Sequence, residues 1–225
     1  MKYKIIKFLF LLFIFQGYSY CGFYSSGSPK EKTFSLTYDD GPAPLSEKLI
    51  ALLKEKKAPA AFFFLGERIA MYPQIAKKIS DEGFEIGNHT YSHKNFYSLD
   101  KKSADKEKIL IKEIELFEKE AQKAGLPKSK LLRMPNGFSR PWAQKIIFSK
   151  GYNLVNWTFG ADWLKIGEEN LTSQYLKALK PGAIILLHDG GKDKEKTVRI
   201  TKAILEEAEK KGLKPVALSE LLKIK

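Results

Sequence analysis

Only one cysteine, Cys21, occurs in the 225 residues, so no intrachain disulfide can form, and a chain this long can bury a substantial core in one domain. Arginine is scarce too: Arg68, Arg133, Arg140 and Arg199 stand against a large excess of lysine. The lysines bring the formal charge to +13, yet aromatics are not interleaved with the basic runs and no nucleic-acid motif is present, which argues against nucleic acid as a partner. The charge suits solubility and attraction to anionic surroundings, such as a wall polymer or an anionic membrane surface. Neither a repeat nor a low-complexity tract follows residue 32, and no second domain is apparent. Histidine is confined to three residues in two places, His89-Thr90-Tyr91-Ser92-His93 and Leu186-Leu187-His188-Asp189.

Residues 1–19 read as a signal peptide or an N-terminal anchor. Lys2, Lys4 and Lys7 precede an apolar run over residues 8–15, the length of a signal core and short for a bilayer span. Gly17 and Ser19 suit cleavage after Ser19, while an uncleaved anchor would also recruit Ile5 and Ile6. Cys21 raises lipidation as a third route, although Tyr20 fits a lipoprotein cleavage box poorly. The expectation is an exported protein, whether secreted, periplasmic or attached to the cell surface, that meets a membrane only through this segment. Residues 20–32, with Ser25-Ser26-Gly27-Ser28-Pro29, read as a flexible linker, and residues 33–223 as the functional domain.

From residue 33 strand and helix patterns alternate. Strands are predicted over 33–38, 60–65, 84–89, 131–134, 152–157, 183–188 and 214–218, and helices over 46–55, 73–82, 102–124, 141–150, 170–179 and 195–211. Each helix carries apolar residues at three- and four-residue spacing, as in Ile111, Ile114 and Phe117, with lysines on the other side. This alternation implies an α/β fold with a parallel sheet covered by helices. Polar clusters collect at the carboxy ends of the strands, at Asp39-Asp40, His89, Arg133, Asp162-Trp163 and His188, the edge that carries chemistry in such folds.

Adjacent carboxylates repel each other and resist burial. A strand that ends in Asp39-Asp40-Gly41-Pro42 therefore points to a cation or a proton-transfer role; the plainer alternative is an exposed turn with an Asp cap. His89 and His93 lie four apart and would share one face if the segment after the strand turned helical. With a carboxylate from Asp39 or Asp40 they make a two-histidine, one-aspartate set that leaves positions open for water, as in catalytic zinc sites. Otherwise they are polar residues of a loop.

Thr37-Tyr38-Asp39-Asp40-Gly41-Pro42, His89-Thr90-Tyr91-Ser92-His93, Arg133-Met134-Pro135-Asn136-Gly137, Asp162-Trp163 and Leu186-Leu187-His188 resemble, in order and spacing, the five motifs of the polysaccharide deacetylases, the NodB-like domain of carbohydrate esterase family 4. The likeness runs from Thr33 to about Leu222. It implies a distorted (β/α)7 barrel in a single domain that removes acetyl groups from N-acetylated sugars with a divalent metal, usually zinc. By position it implies Asp40, His89 and His93 as metal ligands, Asp39 as general base and His188 as the acid that protonates the departing amine. It further implies an oxyanion donor at the backbone N–H of Asn136, and Leu186 beside the acetyl methyl. Tyr38, Pro135, Asn136, Asp162, Trp163 and Leu186 are the residues expected on the substrate. Arg133 is expected to hold Asp39 in a charge-assisted pair, a geometry that lysine cannot supply; the alternative is a surface arginine near Lys128 and Lys130. Trp163 is expected to stack on a sugar ring or else to pack in the core.

Two positions depart from the family pattern. Asn136 stands where the third motif usually has tyrosine, and Phe159 where an acidic residue usually supports the acid histidine, so support for His188 falls to Asp162 or another group. The segment Asn136-Gly137-Phe138-Ser139, with residues 157–163, also resembles the branch that acts on N-acetylmuramic residues. The expected substrate is peptidoglycan or a related aminosugar polymer. The rivals are an O-acetyl xylan esterase, a chitooligosaccharide deacetylase and a barrel that binds glycans without turnover.

Overall fold

A computed structural model describes residues 21–191 and 195–224; the expected signal peptide or anchor at 1–19 lies outside the described residues. The strands are β1 (Phe23–Tyr24), β2 (Thr33–Asp39), β3 (Ala60–Phe64), β4 (Glu85–Asn88), β5 (Leu131–Leu132), β6 (Asn153–Val155), β7 (Phe159–Gly160), β8 (Ile184–His188) and β9 (Lys214–Pro215). They pair in parallel in the order β1-β6-β5-β4-β3-β2-β8-β7, with β9 also on β2. Because β6 lies on β5 while β7, three residues further on, lies on β8, one bent run carries the sheet round into a distorted barrel. The helices are α1 (Ser46–Glu55), α2 (Gly66–Met71), α3 (Pro73–Asp81), α4 (Phe96–Lys102), α5 (Lys106–Lys123), α6 (Pro141–Ser149), α7 (Glu168–Ala178), α8 (Glu195–Lys210) and α9 (Leu218–Leu222).

Strand alternation divides the buried residues into two layers. Phe34, Leu36 and Tyr38 of β2 join Phe62, Ile185 and Leu187 in the core shared with the helices. Facing inward, Ala61, Phe63, Val155 and Ile184 pack on Leu218, Leu221 and Leu222, so α9 plugs the amino-terminal end of the barrel. Glu85 fixes that plug, accepting the backbone N–H groups of Leu218 at 2.6 Å and Ser219 at 3.1 Å. At the other end the inward series Ser35, Thr37, Asp39 becomes polar, and the chemistry-bearing side chains gather there.

Three sequence expectations need correction. Residues 20–32 are not a free linker from Cys21 onward: Phe23–Tyr24 pairs with β6, and the Gly27 N–H donates to the Gly182 carbonyl at 2.7 Å. Composition signals turns there, but the outer edge of β6 has peptide groups to satisfy and this segment satisfies them. The helix predicted over 102–124 is two, because Ser103 turns extended (φ −124°, ψ 125°) between α4 and α5. The strand predicted over 214–218 pairs only at Lys214–Pro215, and Leu218 opens α9. The short α2 and α9 fall below the window in which helical periodicity can be read. Among the described residues no helix is long and apolar enough to cross a membrane.

Candidate functional site

Asp39 ends β2 facing inward, and Asp40 follows with φ 70°, a left-handed turn that sends the second carboxylate to the same mouth. Gly190 allows this turn, since a Cβ there would lie 2.0 Å from the Asp40 carbonyl oxygen. His89 leaves β4 directly. The segment after it is a loop rather than a helix, and His93 is brought back towards His89 by positive φ at Thr90 (68°) and at His93 itself (54°). The two rings stand 5.2 Å apart between centroids.

Asp40 Oδ1 lies 3.5 Å from His89 Nε2 and 3.6 Å from His93 Nε2. These separations are close to the roughly 3.3 Å between ligands placed about 2.05 Å from a tetrahedral ion. Asp40 Oδ1 is buried and without a hydrogen-bond partner, and the three ligand atoms all fall within 4.8 Å of one another. The Arg133 carbonyl accepts from His89 Nδ1 at 2.7 Å, which leaves Nε2 as the lone-pair nitrogen facing the carboxylates. Burial lowers the pKa of His89 despite the nearby Asp39 and Asp40, so its imidazole is neutral at neutral pH, the form that ligates. An orphaned carboxylate oxygen between two imidazoles, one of them tautomerically fixed, fits a divalent metal.

Arg133 is fully buried. Its Nη1 donates to Asp39 Oδ1 at 2.7 Å and to Thr37 Oγ1 at 2.9 Å, its Nε to the Val155 carbonyl at 3.1 Å and its Nη2 to the Asn156 carbonyl at 3.2 Å. The guanidinium lies over the Phe63 ring, 4.1 Å from its centroid. The second oxygen of Asp39 points instead towards His89, 3.7 Å from Nε2. One aspartate is thus braced by a cation while its neighbour faces the two histidines.

His188 lies across from Asp39 in register on β8. Asp162 Oδ1 accepts from its Nδ1 at 2.7 Å and Asp162 Oδ2 from its backbone N–H at 2.9 Å, leaving Nε2 available to the cavity. Burial by itself pulls the imidazole pKa down, but the Asp162 hydrogen bond and charge, with Asp39 and Asp40 further off, raise it above the ordinary histidine value. Tyr175 holds the Asp162 turn, its hydroxyl accepting from the N–H groups of Ala161 and Asp162 and donating to the Leu186 carbonyl.

These side chains open on a cavity of about 460 Å³, walled further by Asn136, Trp157, Trp163 and Leu186. Trp163 is 51% exposed and meets the His188 ring edge-on. Three expected substrate contacts lie elsewhere. Tyr38 points outward, fully buried, with its hydroxyl 3.0 Å from Thr201 Oγ1, because it alternates with Asp39 along β2. Asp162 is buried behind His188, so the acid support in doubt at Phe159 comes from Asp162. Pro135 is buried at the start of a 3-10 turn, and the cavity is met instead by the next residue, Asn136, at φ 56°. Trp157 also lines the cavity although it stands outside the five motif segments; its one trace in the sequence is that it opens the 157–163 stretch.

A family model for polysaccharide deacetylases matches residues 26–155. A peptidoglycan-N-acetylglucosamine deacetylase of Bacillus cereus is 35% identical over 199 residues, which cover 87% of this chain and 90% of that protein. A chitooligosaccharide deacetylase of Bradyrhizobium sp. is 31% identical over 160 residues, 69% of each protein. A crystal structure of a peptidoglycan N-acetylglucosamine deacetylase matches with a TM-score of 0.82 at 28% identity and covers 90% of this chain and 94% of that one.

Proposed function

Since the chain belongs to the polysaccharide deacetylase family, we propose that it hydrolyses the N-acetyl groups of aminosugars in peptidoglycan, with zinc held by Asp40, His89 and His93. Bound there, the ion supplies Lewis acidity, polarising the acetyl carbonyl and acidifying a water. Asp39 takes the proton of the attacking water on the oxygen that Arg133 leaves free, while the guanidinium keeps the carboxylate ionised and aimed. The backbone N–H of Asn136 donates to the developing oxyanion, and Leu186 packs on the acetyl methyl. His188, charged and held by Asp162, protonates the amine nitrogen, a step an amide needs because its nitrogen leaves poorly unprotonated. Trp163 offers its exposed face to a sugar ring.

The observation that carries this reading is that two groups, each braced by a partner of opposite charge, meet at one cavity: Asp39 held by Arg133, and His188 held by Asp162. A barrel that only binds glycans would have no need of the second pair. Residues 1–19 direct export, and the basic domain is drawn to an anionic wall. Zinc-loaded protein is incubated with purified peptidoglycan and, separately, with N-acetylated chitooligosaccharides, and acetate is measured. Faster release from peptidoglycan is expected. Preference for the oligosaccharides would reassign the substrate to the class of the Bradyrhizobium relative, and no acetate from either would leave a glycan-binding barrel.

A further inference from the structure

The loop that carries His93 is held at nearly every residue between the two histidines. Asn88 Oδ1 accepts the Thr90 N–H at 2.7 Å, and the Gly66 and Glu67 N–H groups that open α2 donate to the Thr90 and Tyr91 carbonyls, both at 3.0 Å. The remaining bonds go to one side chain. Glu113, on the buried stripe of α5 with Leu110, Ile114 and Phe117, is 3% exposed. Its Oε2 accepts the N–H of Tyr91 at 3.1 Å and of Ser92 at 2.8 Å, while its Oε1 accepts the Ser92 hydroxyl at 2.8 Å. Lys94, next to His93, stands 3.7 Å from Oε1.

A buried carboxylate on an apolar helix face is costly unless it is fully used, and here both oxygens are. What it holds is backbone of unfavourable shape: Thr90 and His93 both sit at positive φ, a conformation that β-branched and bulky residues avoid. We infer that Glu113 is a positioning residue for the metal centre, fixing the 90–93 loop so that His93 Nε2 stays within reach of Asp40 and His89. The inference rests on the reading of Asp40, His89 and His93 as ligands. Asp40 and His89 issue from β2 and β4 and do not depend on Glu113; His93 alone among the three hangs on a loop.

Glu113→Gln separates positioning from general stability. The amide keeps the size of the carboxylate, but it has one acceptor oxygen for three donors and must turn its own N–H groups towards another donor. Glu85→Gln is the control, because Glu85 likewise accepts two backbone N–H groups, but at α9 on the far end of the barrel. Zinc affinity is measured by competition with a chromophoric chelator, and thermal unfolding is followed on the metal-free proteins. Glu113→Gln should weaken zinc binding by about tenfold or more, the usual effect of losing a group that orients a ligand, with acetate release recovering at saturating zinc. Glu85→Gln should lower thermal stability and leave zinc affinity where it was. Equal zinc affinity in native and Glu113→Gln protein, or a loss no larger than that of Glu85→Gln, would overturn the inference while sparing the metal site. Native protein whose zinc affinity is unchanged by Asp40→Ala would overturn both.

Discussion

Replacing Asp162 by asparagine removes the charge behind His188 and also one of two hydrogen bonds, since an amide has one acceptor oxygen for the ring Nδ1–H and the backbone N–H that Asp162 now serves at 2.7 and 2.9 Å. A hydrogen bond to a charged partner contributes about 1.5–3 kcal/mol, and at 1.4 kcal/mol per tenfold the loss is about 10- to 100-fold in kcat/KM for an N-acetyl substrate at neutral pH. The pH dependence carries a definite sign. His188 titrates above the ordinary histidine value, so its imidazolium persists to higher pH, and the alkaline limb of the rate profile reports its loss. In Asp162→Asn that limb moves to lower pH. The raised pKa also stabilises the native fold below the ordinary histidine pKa, and this contribution is lost as pH rises through the folded value; the variant should therefore differ most from native in thermal stability on the acid side. Acetate release from peptidoglycan and from an activated aryl acetate, followed across pH, tests the account. The ester needs little leaving-group protonation and should lose much less than the amide. An unmoved alkaline limb, or equal losses on both substrates, would refute the assignment of His188 as acid.

Two further outcomes are expected. Asp39→Asn should abolish acetate release with zinc content intact by atomic absorption, whereas His89→Ala should lose both; retained activity in Asp39→Asn would remove the base. Starting the chain at residue 33 deletes β1 and at least three backbone hydrogen bonds to Leu154, Asn156 and Gly182. At about 1 kcal/mol each the cost is about 3 kcal/mol, or roughly 10 °C in Tm by calorimetry, and an unchanged Tm would return the segment to the status of a linker.

Much of the site could be read from the chain because strand ends are local: the apolar run into Asp39-Asp40 and the run out to His188 are each visible in a few residues, and a parallel fold brings such ends to one edge. Which way each side chain faces was harder. Tyr38 lies inside a motif, yet the two-residue period that turns Asp39 inward sends it to Thr201. Asp162 reads both as a substrate contact and as one of the groups that could support His188, and only the long-range approach of β8 decides that it stands behind the ring. The same limit hid β1, because Ser25, Ser26 and Gly27 just after it signal turns while its partner lies some 130 residues away. Glu113 did leave a trace, a carboxylate in line with Leu110, Ile114 and Phe117, but helical periodicity alone does not say what such a residue grips.

The α9 plug and the Phe63–Arg133 stack fill the barrel beneath the reacting groups, and Trp163 stands exposed at the rim of the cavity above them. A glycan cannot be threaded through a barrel so filled. For a glycan N-deacetylase, a site floored in this way would admit the pendant acetamido group while the sugar backbone passed over the rim at Trp163, a geometry that calls for no chain end.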